Sequence, residues 1–177
     1  MIKGQNLYFF GSDPKANMSE PKQTKRHYRP NVAAIILSSK YPHACEIFIA
    51  CRNDIKDAWQ FPQGGIDSNE SPKEALLREL EEEIGTKEVD IVAEHPEWVS
   101  YDFPETVAPK MYPYDGQTQK YFLVRLRHDS LVNLNTQEPE FSDYKFVSYE
   151  NIFHHITYFK RPIYKQVLEY FKKKGYL

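Results

Sequence analysis

The sequence predicts an α/β fold in which helices cover a mixed β-sheet. Three observations lead there. Short apolar runs of strand length recur along the chain, at Val32–Leu37, Glu46–Ala50, Ile91–Ala93, Trp98–Tyr101, Tyr121–Leu126 and Tyr144–Val147. Helix signals are confined to a few places, about 72–84, a short stretch near 149–155, and Pro162 to Lys173. The two kinds of segment do not alternate regularly, which argues against repeated βαβ units and for a mixed sheet.

Residues 1 to about 26 are polar and lack apolar periodicity, so they are expected to be a tag or tail. Asn6–Ser12 resembles a protease-cleavage tag, with Phe10 where Gln is expected, and the natural chain is expected to begin at Met18. Residues 27–177 are then one domain, long enough for a core of its own. The first strand, from Val32, is a continuous apolar run suited to a buried position. Ser38 to His43 form a polar turn before the second strand. The stretch Asp102 to Gly116 contains Pro104, Pro109 and Pro113 and has no period, so it reads as a long loop of the kind that often carries function.

Charge narrows the partners. With 23 basic and 25 acidic residues the net charge is −2, without the basic excess of a protein that coats long nucleic acid. A small phosphate compound, or only the end of a nucleic acid, fits better, and DNA is not expected. No apolar run approaches the roughly 18 residues of a membrane span, and no segment is ordered like a secretory signal. Aromatic residues make up 15%, enough to supply both core and base-stacking surface. Cys45 and Cys51, on one extended run, would lie roughly 20 Å apart at about 3.3 Å per residue. That exceeds the reach of a disulfide, so both are expected free, in keeping with a cytoplasmic location.

The chemistry is concentrated between Gly64 and Gly85. Ser71-Pro72-Lys73-Glu74 has the form of a capping box with proline in the first helical turn, and Gly85 supplies a left-handed stop. On the helix so bounded, Glu79, Glu82 and Glu83 fall within an arc of roughly 100°. Leu77, Leu80 and Ile84 form the adjoining apolar face. Like charges at these spacings destabilise a helix by a few tenths of a kcal/mol per pair, roughly, and no lysine relieves them. Three carboxylates converging without a basic partner suit a hard divalent cation such as Mg²⁺ or Mn²⁺. Taken alone, the same three residues also read as a solvated acidic face. The double glycine Gly64-Gly65 just ahead, where backbone groups can approach a ligand closely, favours the metal.

The spacing Gly-x5-Glu-x7-Arg-Glu-Leu-x-Glu-Glu-x-Gly, met at Gly64, Glu70, Arg78, Glu79, Leu80, Glu82, Glu83 and Gly85, resembles the Nudix box. Thr86 stands where that box usually ends in an aliphatic residue, a departure that touches helix-exit packing and not the ligands. The resemblance implies a mixed sheet sandwiched between helices, and metal binding by Glu79, Glu82 and Glu83 with the Gly64 carbonyl. It also implies that Arg78 pairs with Glu70 to hold the carboxylates. Taken alone, Arg78 would read as a surface ion-pair residue.

From about Tyr28 to the C-terminus the chain is similar to one Nudix subfamily, the bacterial RNA pyrophosphohydrolases. The segments that carry this are Tyr28–Val32, Trp59–Gly65, Gly116–Phe122, Pro139–Phe141 and Phe159–Arg161. The resemblance implies hydrolysis at the 5′-triphosphate end of RNA, leaving a 5′-monophosphate and promoting mRNA decay. The alternatives are a diadenosine polyphosphate (Ap4A or Ap5A) hydrolase and a non-catalytic Nudix nucleotide-binding module. The complete Glu79, Glu82, Glu83 set argues against the last. Arg29 and Lys160 are candidate phosphate cations, and Arg52 is another, although its spacing to Trp59 is one residue longer than the resemblance leads one to expect. Phe159 either stacks on a base or packs in the core. Glu140, outside the box, is a metal ligand or base by resemblance and a surface turn residue by position. Gln63 and Gln119 read equally as substrate contacts and as ordinary turn and strand residues. Glu83 or Glu140 is the expected general base.

Overall fold

The computed structural model describes residues 25–156 and 158–177. Met18, and nearly all of the stretch expected to be a tag or tail, lie outside the described residues. The centre of the fold is a parallel pair, β1 (Tyr28–Leu37) against β7 (Gly116–Leu126), in register from Tyr28↔Gly116 to Leu37↔Arg125. Among the described residues, every other pairing between strands is antiparallel. The far edge of β7 carries β5 (Val89–Glu94) on its second half and β6 (Val99–Asp102) on its first.

On the other side the sheet splits. β1 meets β2 (Ile47–Arg52) only at Leu37↔Ile47, while β8 (Phe141–Val147) runs along the whole opposite edge of β2. The gap between the diverging strands is filled by the chain from Trp59 to Gly65. β3 (Trp59–Gln60) pairs with β2, and β4 (Gln63–Gly65) pairs with β1 through Ala33↔Gln63, Val32↔Gly64 and Asn31↔Gly65. These two strands were not expected from the sequence. They are two and three residues long, with Pro62 between them, and their extended form is imposed by their neighbours.

Both faces of β1 are buried, as its unbroken apolar run requires. Ala33, Ile35 and Leu37 point to one side and Val32, Ala34 and Ile36 to the other. Helix α1 (Pro72–Ile84) covers the second side with Ala75, Leu76, Leu80 and Ile84. Helix α2 (Arg161–Lys173) covers the first with Tyr164, Val167, Leu168 and Phe171, an i, i+3, i+4, i+7 stripe. Each fully buried Leu, Ile or Phe in these layers stabilises the fold by about 1.5–3 kcal/mol. The expected sandwich of a mixed sheet between helices is therefore what forms.

Helix α1 has the expected bounds. The Ser71 hydroxyl accepts from the Glu74 N–H at 3.3 Å and Glu74 Oε2 accepts from the Ser71 N–H at 2.7 Å. Gly85 closes the helix at φ 74°, where its N–H donates to the Glu81 carbonyl. Thr86 is buried and its hydroxyl accepts from the Glu88 N–H at 3.1 Å, so the polar residue at the helix exit bonds locally. The short helix expected near 149–155 is corrected to a single 3-10 turn, Ile152–His154, followed by another at Tyr158–Lys160. Branched and aromatic residues hold a helix poorly there, and Ile156 leaves it to bridge Trp59. The long loop between β6 and β7 is present, with one 3-10 turn at Ala108–Met111. Cys45 and Cys51 are both free.

Candidate active site

β4 lies at the end of the sheet, and its two glycines open onto opposite faces. Gly64 is paired with Val32, and a Cβ on it would overlap the Glu79 carboxylate. Gly65 is paired with Asn31, and a Cβ on it would strike the Arg29 guanidinium. The double glycine thus brings one carboxylate and one cation against the same short stretch of backbone.

Arg78 ties this strand to α1. Its Nη2 donates to Glu70 Oε1 at 2.5 Å and to the Gly65 carbonyl at 2.8 Å, and its Nε donates to Glu70 Oε2 at 3.1 Å. Its Nη1 donates to Glu79 Oε1 at 2.7 Å and to Glu82 Oε2 at 3.2 Å. Hydrogen bonding to Arg78, helped by the Asp67 N–H, lowers the Glu70 carboxyl, while Glu70 first and Glu79 next hold the guanidinium well above its ordinary range. The expected pairing of Arg78 with Glu70 is present. The expectation that the three helix carboxylates meet no basic partner is corrected, because Glu79 and Glu82 both face Arg78. The cause is the helix itself, which sets Glu82 four positions after Arg78 on one side. Among the described residues, no three His, Cys, Asp or Glu side chains already form a metal cluster.

Glu83 is different. It is 2% exposed, its Oε2 accepts the Gln63 backbone N–H at 2.9 Å, and its Oε1 is buried with no partner. Burial first, then the charges of Glu140 and Glu79, push its carboxyl well above the ordinary 4.5. Burial also raises Glu79, in spite of Arg78. Glu140 is exposed, on the residue before β8, where its carbonyl accepts from the Asn53 N–H at 2.9 Å. A cleft of about 420 Å³ opens here, lined by Glu81, Glu82, Glu83, Thr136, Glu138 and Glu140 among others. A hard divalent cation fits these donors. They are oxygens throughout, two of the carboxylates are destabilised as anions, and one buried oxygen lacks any donor.

On the opposite side of β4 stands Lys160, 6% exposed. Its Nζ donates to Gln60 Oε1 at 2.6 Å and to Gln63 Oε1 at 3.1 Å. Burial, and then the charge of Arg52, bring the ammonium down to about 7, against a smaller opposing pull from Glu83. Holding the Gln60 oxygen leaves Gln60 Nε2 buried without an acceptor. A hydrogen bond to a charged group is worth about 1.5–3 kcal/mol against about 1 for a neutral pair, so the cation decides which way that amide faces. Arg52 is forked onto Asp54, with both contacts at 2.7 Å, and lies within the field of Glu140 and Glu83. Phe159 is half-buried, its ring 6.2 Å from that of Tyr101 and 5.9 Å from Lys160 Nζ.

The structure therefore gathers Gly64, Glu79, Glu82, Glu83 and Arg78 on one side of β4, and Arg29, Gln63 and Lys160 on the other. Sequence reasoning missed Gln60, Asn31, Gln117, Tyr101 and Tyr121. Gln119 donates from Nε2 to Asn31 Oδ1 at 2.7 Å and to Gln63 Oε1 at 3.1 Å, and accepts from the Tyr121 hydroxyl at 2.6 Å. Gln117 Oε1 accepts from the Tyr101 hydroxyl at 2.8 Å and from Gln63 Nε2 at 3.4 Å. The signal that could have found them was the period of two in Gln117, Gln119 and Tyr121, a polar row on one face of a buried strand.

Known proteins resemble this chain in sequence and in fold. The pattern of the NUDIX domain matches residues 27–169. A protein of a Nitratiruptor species named RNA pyrophosphohydrolase is 69% identical over 152 residues, which are 86% of this chain and 98% of that one. One of the same name from Helicobacter pylori is 57% identical over 152 residues, again 86% and 98%. Among solved structures, the E. coli dihydroneopterin triphosphate pyrophosphohydrolase superposes with a TM-score of 0.64 at 16% identity, covering 81% of this chain and 99% of that one. A C. elegans Ap4A hydrolase superposes with 0.59 at 18% identity, covering 81% and 98%. These two similarities concern the fold alone.

Proposed function

The chain belongs to the NUDIX family, and from that membership we propose that it is an RNA pyrophosphohydrolase, which converts the 5′-triphosphate end of RNA to a 5′-monophosphate and so promotes mRNA decay in the cytoplasm. The observation that carries this is identity of 57–69%, over nearly their whole length, to proteins of that name. No helix among the described residues is long and apolar enough to cross a membrane.

Glu79, Glu82, Glu83 and Glu140, with the Gly64 carbonyl, would hold Mg²⁺, or Mn²⁺ in its place. Such ions neutralise phosphate charge and lower the pKa of water when bound. The remaining steps belong to the chain. Arg29 and Lys160, on the side of β4 away from α1, and Arg52 bind phosphate oxygens. Arg78 keeps Glu79 and Glu82 in place through its fork to Glu70 and the Gly65 carbonyl. Glu83, or Glu140 beside it, accepts the proton of the attacking water. Phe159, backed by Tyr101, offers a face to the first base.

The test is turnover of a short RNA with a labelled 5′-triphosphate, with Mg²⁺, beside Ap4A at equal concentration. Faster conversion of the RNA to its 5′-monophosphate is expected. Clear preference for Ap4A would overturn the substrate and leave the metal chemistry standing.

A further inference from the structure

The amides beneath the site form a directed chain. Tyr121 is fully buried and its hydroxyl donates to Gln119 Oε1, which turns Gln119 Nε2 toward Asn31 and Gln63. Those two contacts, at 2.7 and 3.1 Å, are shorter than a third to Gln117 Oε1 at 3.5 Å and engage both hydrogens of that NH₂. Gln63 must then present its oxygen to Gln119, and the same oxygen accepts from Lys160. Its own NH₂ points the other way, to Gln117 Oε1, which also accepts from Tyr101. With Gln63 reversed, its NH₂ would face the ammonium on one side and the Gln119 NH₂ on the other, donor against donor.

Two uncharged oxygens, from Gln60 and Gln63, thus take two of the three ammonium hydrogens. Among the described residues the third has no acceptor. No carboxylate among them bonds to this ammonium, so the protein orients the charge without neutralising it.

We propose that Gln119, locked by Tyr121, is a positioning residue that keeps the Gln63 oxygen on Lys160 and so aims the free ammonium hydrogen at a substrate phosphate. This rests on the reading of Lys160 as a phosphate cation. Loss of the lock lets the Gln63 amide turn, and the ammonium then loses one of its two anchors while the carboxylate side of the site stays intact. Affinity for the triphosphate end falls and the chemical step does not.

The test measures kcat and KM on 5′-triphosphate RNA for the full chain carrying Tyr121→Phe, Gln119→Met, Lys160→Met, and each of the first two combined with the third. Tyr121→Phe changes almost no volume, so it remains informative should Gln119→Met fail to fold. The expected result is a rise in KM of about fivefold in either single variant with kcat within about twofold, and loss of that rise in the Lys160→Met background. A fall in kcat with KM unmoved, wild-type kinetics in a folded variant, or the full KM effect persisting without Lys160 would overturn the proposal. Wild-type KM in Lys160→Met alone would overturn it together with the phosphate role of Lys160.

Discussion

The Glu79 carboxylate occupies the space that a side chain on Gly64 would need. This makes Gly64 a requirement of the site and not of the backbone, since its neighbours in β4 pair with β1 in ordinary antiparallel register. Gly64→Ala is expected to leave the circular dichroism spectrum unchanged and to lower kcat by about 100-fold, the cost of displacing a site group by about an ångström. Wild-type turnover in a folded Gly64→Ala protein would show that Glu79 need not stand where it does.

Of Glu79, Glu82 and Glu83 on α1, Glu82 is the exposed one, its side chain at 60%. Gln is as good a helix former as Glu, so Glu82→Gln should keep α1 and its melting temperature. Turnover with Mg²⁺ is expected to fall by more than about 100-fold. Near-normal metal-dependent activity would remove Glu82 from the site.

Glu83 makes the metal-free protein pay for its site. Its folded carboxyl titrates above the ordinary 4.5, so between 4.5 and that raised value the native state binds more protons than the unfolded chain. Its effect on stability is therefore increasingly unfavourable as pH rises through that window. In EDTA at neutral pH, Glu83→Gln should melt above wild type, by about 2–4 °C for each kcal/mol relieved, and the gap should shrink toward pH 4.5. A gap independent of pH would point to packing instead.

Lys160 sets a limit at the alkaline end. With the ammonium brought from 10.5 to about 7 by burial, the free enzyme loses this charge as pH rises through neutrality. The ratio of kcat/KM between wild type and Lys160→Met should be flat below pH 7 and fall by about tenfold per unit above it. A flat ratio up to about pH 9 would mean that the charge is not used in capturing substrate.

The half of the site on α1 was legible because its signals are local. The capping box at Ser71, the stop at Gly85 and the spacing of Glu79, Glu82 and Glu83 all act within one helix. Arg78 was legible as the partner of Glu70, but its second pair of contacts, to Glu79 and Glu82, emerges only with the side chain in place. The floor was not legible for a different reason. Asn31, Gln63 and Gln119 come from three strands, and their bonds depend on register, which no short stretch of sequence states. The trace of it was the alternation of Gln117, Gln119 and Tyr121, in a strand whose apolar half alone drew attention. β3 and β4 were invisible because so few residues, interrupted by Pro62, carry no period at all.

The parallel pairing at the centre of the sheet has a consequence for the order in which this protein is made. Asn31 and Gln119 are 88 positions apart, and the strands that carry them are joined only after everything between has been synthesised. Contacts of such long span form late and slowly. A nascent chain that had not yet reached Gly116 would already hold every residue of the Nudix box, with nothing beneath Gln63 to orient it. Competence to act on RNA should therefore appear in one step, only after Gln119 and the rest of its strand have been made.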